Sequence, residues 1–123
     1  MKHQKHIELS PEQVEEIRTH FSSKKFKSQS YLFYEGQIPI SGYLILDGTI
    51  QISANNKYKK ILTNGTIIGV HELLKKEPIM ISAEVFPNTE LCFLDKSTMQ
   101  EMLENENQEL SKVLKDIFEI RHD

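Results

Sequence analysis

Few side chains in this sequence are spaced so that they could form a catalytic or metal-binding centre. Its five histidines, at positions 3, 6, 20, 71 and 122, are scattered and mostly lie outside the predicted strands. A metal-dependent enzyme needs several histidines and a carboxylate that converge on one ion. His3 and His6 have the spacing of metal ligands only if their segment is helical and a third ligand joins them, so a solvated tail is the favoured interpretation. We therefore expect no metal, no cofactor and no catalytic residue.

The single cysteine, Cys92, lies in an apolar strand with no histidine beside it. That setting predicts a small buried hydrophobic residue rather than a nucleophile. One cysteine cannot form an internal disulfide, which fits a reducing compartment. The chain also lacks an apolar run of about eighteen residues, the least that a membrane-spanning helix needs. These features predict a cytoplasmic protein with no membrane partner.

A basic cluster, Lys57, Lys59 and Lys60, lies in the polar segment 53–60. It could be a binding patch or a solvated loop, and the lack of a row of aromatic residues beside it favours the loop. The net charge of −3 creates no strong field for nucleic acid or anionic lipid. No helix-turn-helix pattern follows before the chain stops at Asp123, so we expect no nucleic-acid partner.

Short strands must provide the framework, and segment 33–52 carries the strongest β signal. Gly36, Gly42 and Gly48 fall six residues apart, so each short strand between them can end in a turn at a glycine. The dipeptide Asp47-Gly48 between two β runs predicts a two-residue hairpin, in which both central residues have positive φ. Further strands are predicted at 24–27, 31–33, 61–62, 81–85 and 89–94. This rhythm predicts an antiparallel β-roll or jelly roll.

One N-terminal helix and two C-terminal helices are predicted to flank the strands. Ser10, Pro11 and Gln13 form a capping box with proline at the first helical position, which predicts a helix over 11–22. Asp95 or Ser97 caps a second helix, whose apolar stripe contains Met99, Met102 and Leu103. A break is predicted at 105–107, and the final helix covers about 107–121. We expect residues 1–9 to be a flexible lead-in and residues 10–123 to form a single domain.

The final helix carries an apolar stripe at helical spacing, which comprises Leu110, Val113, Leu114, Ile117 and Ile120. Two roles are open to this stripe. It could pack against the chain's own β-roll, or it could form the seam of a homodimer. The stripe is longer than one edge of a barrel usually covers, which favours the homodimer.

The block from Phe33 to Ile50 resembles the opening β-roll of the cyclic-nucleotide-binding domain family, found in catabolite-activator-type regulators and kinase regulatory subunits. The matching residues are Phe33 and Tyr34, then Glu35-Gly36-Gln37, and then the run from Gly42 to Ile50. The resemblance covers roughly residues 10–121. It implies a mainly β fold with flanking helices, and in activator-type relatives the last helix is the dimer seam.

The resemblance also implies that segment 65–74 corresponds to the family's phosphate-binding cassette. In ligand-binding members a short helix begins after the second glycine, a glutamate binds the ribose hydroxyl and an arginine neutralises the cyclic phosphate. Gly65, Gly69, Leu73 and Leu74 match the pattern, and Ile68 replaces an aromatic residue. Val70 stands at the glutamate position. His71 and Glu72 lie about 100° and 200° further round a helical turn, so neither inherits the role.

The arginine position falls at Ile79, Met80 or Ile81, because the loop length leaves the alignment open. In ligand-binding members of the family, the arginine is followed by Ser, Thr or Ala and then by Ala. Ser82 and Ala83 complete the candidate pocket. The chain has only two arginines, Arg18 and Arg121, so no alignment places one here. An apolar pocket would leave the phosphate charge unpaired, which costs several kcal/mol.

Three functions are therefore compared. The first is a stand-alone, non-enzymatic regulatory or interaction module with a protein partner, which does not bind cAMP or cGMP in the usual way. The second is a small-molecule sensor that holds a nucleotide or another ligand through atypical contacts, such as backbone N–H groups at Gly69–His71 together with Ser82. The third is a metal-dependent jelly-roll enzyme, which the scattered histidines disfavour. The first interpretation is favoured.

Overall fold

The structure is a computed structural model, which describes residues 8–55, 57–104 and Lys112, without the side chain of Tyr58. The described residues up to Glu104 contain three helices, α1 (Pro11–Arg18), α2 (Val70–Lys75) and α3 (Lys96–Glu104). The eight strands are β1 (Ser23–Phe26), β2 (Ser30–Phe33), β3 (Gly42–Asp47), β4 (Ile50–Ala54), β5 (Tyr58–Leu62), β6 (Ile67–Ile68), β7 (Ser82–Val85) and β8 (Thr89–Leu94). The break at 105–107 and the final predicted helix, apart from Lys112, lie outside the described residues.

The strands form two four-stranded antiparallel sheets, which confirms the predicted β-roll with flanking helices. The first sheet has the order β1-β8-β3-β6 and the second has the order β2-β7-β4-β5. The lysine-rich strand β1 lies at an edge, where exposed lysines oppose pairing with another chain. No helix within the described residues is long and apolar enough to cross a membrane.

Two apolar clusters hold the fold together, one on each face of the first sheet. Ile45 and Leu91 belong to the cluster that lies between the sheets, whereas their neighbours Leu44 and Cys92 belong to the cluster that the helices cover. Successive side chains of a strand point to opposite faces. Burial of both faces explains why Tyr43-Leu44-Ile45 is continuously apolar and why Cys92 is fully buried, as predicted.

The prediction of a hairpin at Asp47-Gly48 is wrong, because β3 and β4 belong to different sheets. β3 pairs with β6 and β8, whereas β4 pairs with β5 and β7. Only Gly48 of the dipeptide has positive φ, at 113°. A Cβ atom on Gly48 would overlap Thr89, so the chain needs glycine to cross from one sheet to the other here. The dipeptide signals a local turn, but it does not determine which strands pair.

Three further turns contain a residue with positive φ. Asn55 has a positive φ of 54° in the hairpin between β4 and β5, where Ala54 pairs with Tyr58. Gly65 has a φ of 87°, and Asn88 has a φ of 66° in the turn before β8. Lys57, Lys59 and Lys60 lie exposed on the β4–β5 hairpin and on β5.

The N-terminal helix has the predicted capping box, but it ends earlier than predicted. The Ser10 side chain accepts the N–H group of Gln13, and the Gln13 side chain accepts the N–H group of Ser10. The helix ends at Arg18 instead of residue 22. The chain then turns into β1, with the Ser22 carbonyl accepting the N–H group of Phe93, and this tertiary pairing overrides the helical pattern.

Leu9 belongs to the packed core, although the sequence places it in the lead-in. It is 9% exposed, and its N–H group donates to the Gly65 carbonyl at 2.9 Å. Glu8 forms an isolated β-bridge with Thr66. At the other end of the fold, the Asp95 carboxylate accepts the N–H group of Thr98 at 3.0 Å, so Asp95 is the cap that precedes α3.

Candidate functional site

The segment that corresponds to the family's cassette has the predicted glycine framework. Gly69 has a φ of 81° and directly precedes α2, so the short helix begins after the second glycine, as expected. The Leu73 N–H group donates to the Gly69 carbonyl at 3.1 Å and closes the first turn. α2 ends at Lys75, because Lys76 adopts the left-handed conformation with a φ of 56°.

Val70, which the resemblance aligns with the family's glutamate, packs into the core beneath the helices. It is 2% exposed, and its Cγ2 atom lies 2.6 Å from the position that a Cβ atom on Gly42 would take. Its cluster includes Leu44 and Leu94 of the first sheet. An apolar, β-branched side chain there offers no acceptor for a ribose hydroxyl.

His71 and Glu72 are both buried on α2, which their polar character does not predict. The Nε2 atom of His71 lies 3.8 Å from the Oε1 atom of Glu77, in the loop that follows the helix. The same loop is attached to α2 by its backbone, since the Glu77 N–H group donates to the Glu72 carbonyl at 3.0 Å. These contacts hold the loop back against its own helix.

The second half of the candidate pocket alternates between buried and exposed residues. Ile79 and Ile81 are fully buried, and Met80 between them is 49% exposed. Ile79, Ile81 and Ala83 belong to the apolar cluster between the two sheets. Of the three candidates for the arginine position, Ile81 lies immediately before Ser82-Ala83, the two residues that match the rest of the family's motif.

Ser82 is already engaged with the turn that follows β2. Its Oγ atom accepts the N–H group of Glu35 at 3.0 Å. The Glu35 carboxylate in turn accepts the N–H group of Asn55 at 3.0 Å. Ser82 therefore fixes the turn at residues 34–37 against the start of β7.

Phe33 connects the two halves of the site, a role that the sequence did not predict. Its Cε2 atom lies 3.9 Å from the position that a Cβ atom on Gly69 would take. Phe33 also pairs with Ala83 across the β2–β7 ladder. The family motif marks this aromatic residue only as part of the β-roll, and no local pattern indicates which later residues it contacts.

Cys92, which the sequence also singled out, does not join this site. Cys92 is buried beneath the helices, and burial raises the pKa of its thiol to about 11. The described residues include no group of three His, Cys, Asp or Glu side chains that could hold a metal ion. His3, His6 and His122 lie outside the described part of the chain, as do the seam residues Leu110, Val113, Leu114, Ile117 and Ile120.

Similarity to a known kinase extends over much of this sequence. The chain is 27% identical over 85 residues to a cGMP-dependent protein kinase of Plasmodium berghei (strain Anka). The aligned region is 68% of this chain but only 10% of the kinase.

Solved structures with the same fold are similar over most of this chain. One, reported for a cyclic-GMP-dependent signalling pathway that regulates bacterial phytopathogenesis, has a TM-score of 0.78 at 15% identity and covers 89% of both chains. The catabolite activator protein of Thermus thermophilus has a TM-score of 0.68 at 20% identity, over 89% of this chain and 53% of that protein. At these identities, the likeness establishes the fold alone.

The family assignment rests on the sequence match together with this fold. The Cyclic nucleotide-binding domain family matches residues 23–106, which span β1 to the end of α3 and include the cassette. The glycine framework and the antiparallel roll agree with that match. This chain belongs to the cyclic nucleotide-binding domain family.

Proposed function

We propose that this chain is a non-enzymatic regulatory module that acts by docking to other proteins and does not bind cAMP or cGMP in the family's usual way. The observation that carries the proposal is the position of Ile81. This residue stands directly before Ser82-Ala83 and is fully buried among apolar side chains between the sheets. A cyclic phosphate at this position would meet a methyl group where the family supplies a cation.

Within the described residues, no arginine elsewhere supplies the cation that is missing at Ile81. Arg18 lies on α1, where its Nη1 atom is 3.5 Å from the Oε1 atom of Glu15. A phosphate left without a cation in a partly buried site loses several kcal/mol. Since about 1.4 kcal/mol corresponds to a tenfold change in Kd, the affinity should fall by several powers of ten.

Calorimetric titration of the full chain with cAMP and with cGMP tests this proposal. We expect no saturable heat up to millimolar nucleotide. A dissociation constant in the micromolar range for either nucleotide would overturn the proposal. The melting temperature supplies a second readout, because a ligand that binds only the folded state raises it with concentration.

A second candidate function is a small-molecule sensor with atypical contacts. It is favoured by the burial of two polar side chains, His71 and Glu72, in the cassette helix. Its ligand would use backbone N–H groups at Gly69–His71 together with the Ser82 hydroxyl. A metabolite screen by thermal shift separates the two functions, because a reproducible, concentration-dependent stabilisation by any one compound supports the sensor.

The docking module is further proposed to act as a homodimer. The support is the apolar stripe of the final predicted helix, from Leu110 to Ile120. A dimer would present two copies of each docking surface and would raise the apparent affinity for a partner with two binding segments. The candidate docking face includes the loop from Lys75 to Pro78, whose two lysines and proline are exposed.

A further inference from the structure

The dipeptide Asn64-Gly65, in the turn before β6, is the Asn-Gly pair of this sequence. An asparagine side chain is most open to attack by the next backbone nitrogen when that residue is glycine, because no Cβ atom obstructs the approach. Asn64 is exposed, so water reaches its carboxamide. The fold requires the glycine, since Gly65 has a φ of 87° and a Cβ atom there would lie 3.0 Å from the Leu9 carbonyl oxygen. A chemically reactive dipeptide is therefore built into this turn.

Backbone hydrogen bonds hold the nitrogen that would attack. The Gly65 N–H group donates to the Ile45 carbonyl at 2.7 Å, and the Ile45 N–H group donates to the Thr66 carbonyl at 3.0 Å. The Thr66 N–H group closes the turn by donating to the Thr63 carbonyl at 3.2 Å. Ile45 is fully buried in β3, an interior strand of the first sheet. Attack requires the nitrogen to lose its proton and turn toward the side chain, so the turn must first detach from β3.

The side chain that would be attacked is held as well. The Oδ1 atom of Asn64 accepts the Gly48 N–H group at 2.9 Å. Its Nδ2 atom lies 3.5 Å from the Oδ1 atom of Asp47. The carboxamide thus presents its acceptor to a backbone N–H group and its donor to a carboxylate. Both reacting groups of the dipeptide are engaged in the folded domain.

We propose that Asn64 is a deamidation site, which the folded turn protects and which reacts when the turn opens. In the opened chain the Gly65 nitrogen forms a bond to the Cγ atom of Asn64. The bond from Cγ to Nδ2 breaks, and ammonia leaves with the proton of the Gly65 N–H group. Water then opens the cyclic imide at either carbonyl group, which gives aspartate or isoaspartate at this position. The inference goes beyond the proposed docking function and does not depend on it.

Either product should prevent the turn from closing as before. Isoaspartate adds one methylene group to the main chain before Gly65. Gly65 then cannot keep its bond to Ile45 in register with the 2.9 Å bond that its carbonyl accepts from the Leu9 N–H group. Aspartate keeps the chain length but places a second carboxylate beside Asp47, and like charges repel. Deamidation therefore weakens the attachment of the turn, and of Leu9, to the first sheet.

Peptide mapping by mass spectrometry tests the protection. The full chain is held in mildly alkaline buffer at increasing urea concentrations, and a synthetic peptide of residues 61–67 supplies the rate without tertiary contacts. We expect the folded chain to exchange NH for O at Asn64 at least about tenfold more slowly than the peptide, and urea to raise its rate toward that of the peptide. Asn88, which precedes the β-branched Thr89, is the matched internal control and should stay unmodified. Asn64→Gln should abolish the mass change, because its longer side chain forms the cyclic imide far less readily.

Hydrogen exchange measures the consequence. The deamidated chain, separated by its extra negative charge, should exchange faster in the peptides that contain Leu9 and Gly65 and equally in the peptide that contains β7. Asn64→Asp should raise the unfolding equilibrium constant about two- to fivefold, and Asp47→Asn in the same chain should remove most of that increase.

The inference is overturned if the folded chain deamidates within tenfold of the peptide, or if Asn64 stays unmodified in urea. Unchanged exchange near Leu9 in the deamidated chain also overturns it, as does an effect of Asn64→Asp that persists undiminished with Asp47→Asn. Nucleotide titration is a separate arm, so binding of cAMP would refute the proposed function whatever happens at Asn64.

Discussion

Val70 and Gly42 are in contact across the interface between the cassette helix and the first sheet. A Cβ atom on Gly42 would lie 2.6 Å from the Cγ2 atom of Val70 and 3.4 Å from its Cα atom. Gly42 does not have positive φ, so close packing, and not backbone strain, requires glycine there. Val70, which the resemblance aligns with the family's glutamate, therefore packs directly against β3, and the first residue of α2 has little room to move.

The contact predicts that Gly42→Ala destabilises the domain. The added methyl group overlaps Val70, and overpacking of this kind costs about 1–3 kcal/mol of unfolding free energy. Removing the Cγ atoms with Val70→Ala should relieve the overlap, so the double variant should be more stable than the sum of the two single effects. Urea denaturation of the three variants measures this coupling. Strictly additive effects would show that the two residues are not in contact.

Burial alternates along residues 79–81, so substitutions at neighbouring positions should change stability by different amounts. Ile81→Ala removes a fully buried side chain and should cost about 2–5 kcal/mol, because it leaves a cavity between the sheets. Met80→Ala truncates a half-exposed side chain and should change stability by less than about 0.5 kcal/mol. Urea denaturation of both variants checks the contrast. Equal losses would mean that Met80 also supports the core.

Features set by local chemistry could be predicted from the sequence. The capping box at Ser10, the cap at Asp95 or Ser97 and the strand from Thr89 to Leu94 depend on neighbouring residues. Each is present, with Asp95 as the cap. The resemblance also implied the glycine framework of the cassette, and both glycines have positive φ, a conformation open to few residue types. The β-roll fold as a whole was predicted from the resemblance to a known family.

Features set by contacts distant in sequence could not be predicted. Asp47-Gly48 has the composition of a hairpin turn. It connects two sheets instead, because β3 pairs with β8 and β4 pairs with β7. Leu9 has no periodic pattern around it, yet Gly65 holds it in place. The role of Phe33 depends on residues 36 and 50 positions later.

Thr89 is fully buried beside Gly48, where the chain crosses from one sheet to the other, and substitutions of Thr89 should therefore change stability. Its hydroxyl group accepts the Thr49 N–H group at 3.0 Å and donates to the Thr49 carbonyl at 3.2 Å. Thr89→Val keeps the shape but leaves both backbone groups without this partner, which should cost about 1–3 kcal/mol. Thr89→Ser keeps the hydroxyl group and should cost less. Denaturant unfolding compares the two, and a serine variant less stable than the valine variant would show that the methyl group matters more.

The thiol of Cys92 predicts a loss of stability at alkaline pH. Burial raises its pKa from 9.0 to about 11 in the folded state. Between these values the unfolded chain has lost the thiol proton while the folded chain retains it, so the unfolding free energy falls as pH rises from 9.0 through about 11. Below pH 9.0 the thiol is protonated in both states, and its contribution to the unfolding free energy is fully present.

The variant Cys92→Ala isolates that contribution from the titration of lysines and tyrosines. Urea denaturation at several pH values between 8 and 11 should give a steeper fall for the wild type than for the variant. Parallel curves would contradict the prediction, because they would mean that the thiol ionises equally in the folded and unfolded chains.

The final prediction concerns the proposed homodimer. The stripe of Leu110, Val113, Leu114, Ile117 and Ile120 lies outside the described residues, so the argument rests on the helical spacing in the sequence. Leu114 lies at the centre of the stripe. Leu114→Asp would place an unpaired charge in the seam, and an uncompensated buried charge costs about 3–5 kcal/mol. The dimer should therefore dissociate at concentrations where the wild type remains associated.

Light scattering at tens of micromolar protein measures the outcome. The matched control is Gln108→Asp, which also changes a neutral residue to aspartate. The same helical spacing predicts that Gln108 faces away from the stripe, about 120° from Leu114. We expect the wild type and Gln108→Asp to be dimers and Leu114→Asp to be a monomer that retains the circular dichroism of the β-roll. A wild type that is monomeric under these conditions contradicts the prediction, and the stripe then packs within one chain. Loss of the β-roll signal in Leu114→Asp would place the helix in the domain core and would contradict a seam between copies.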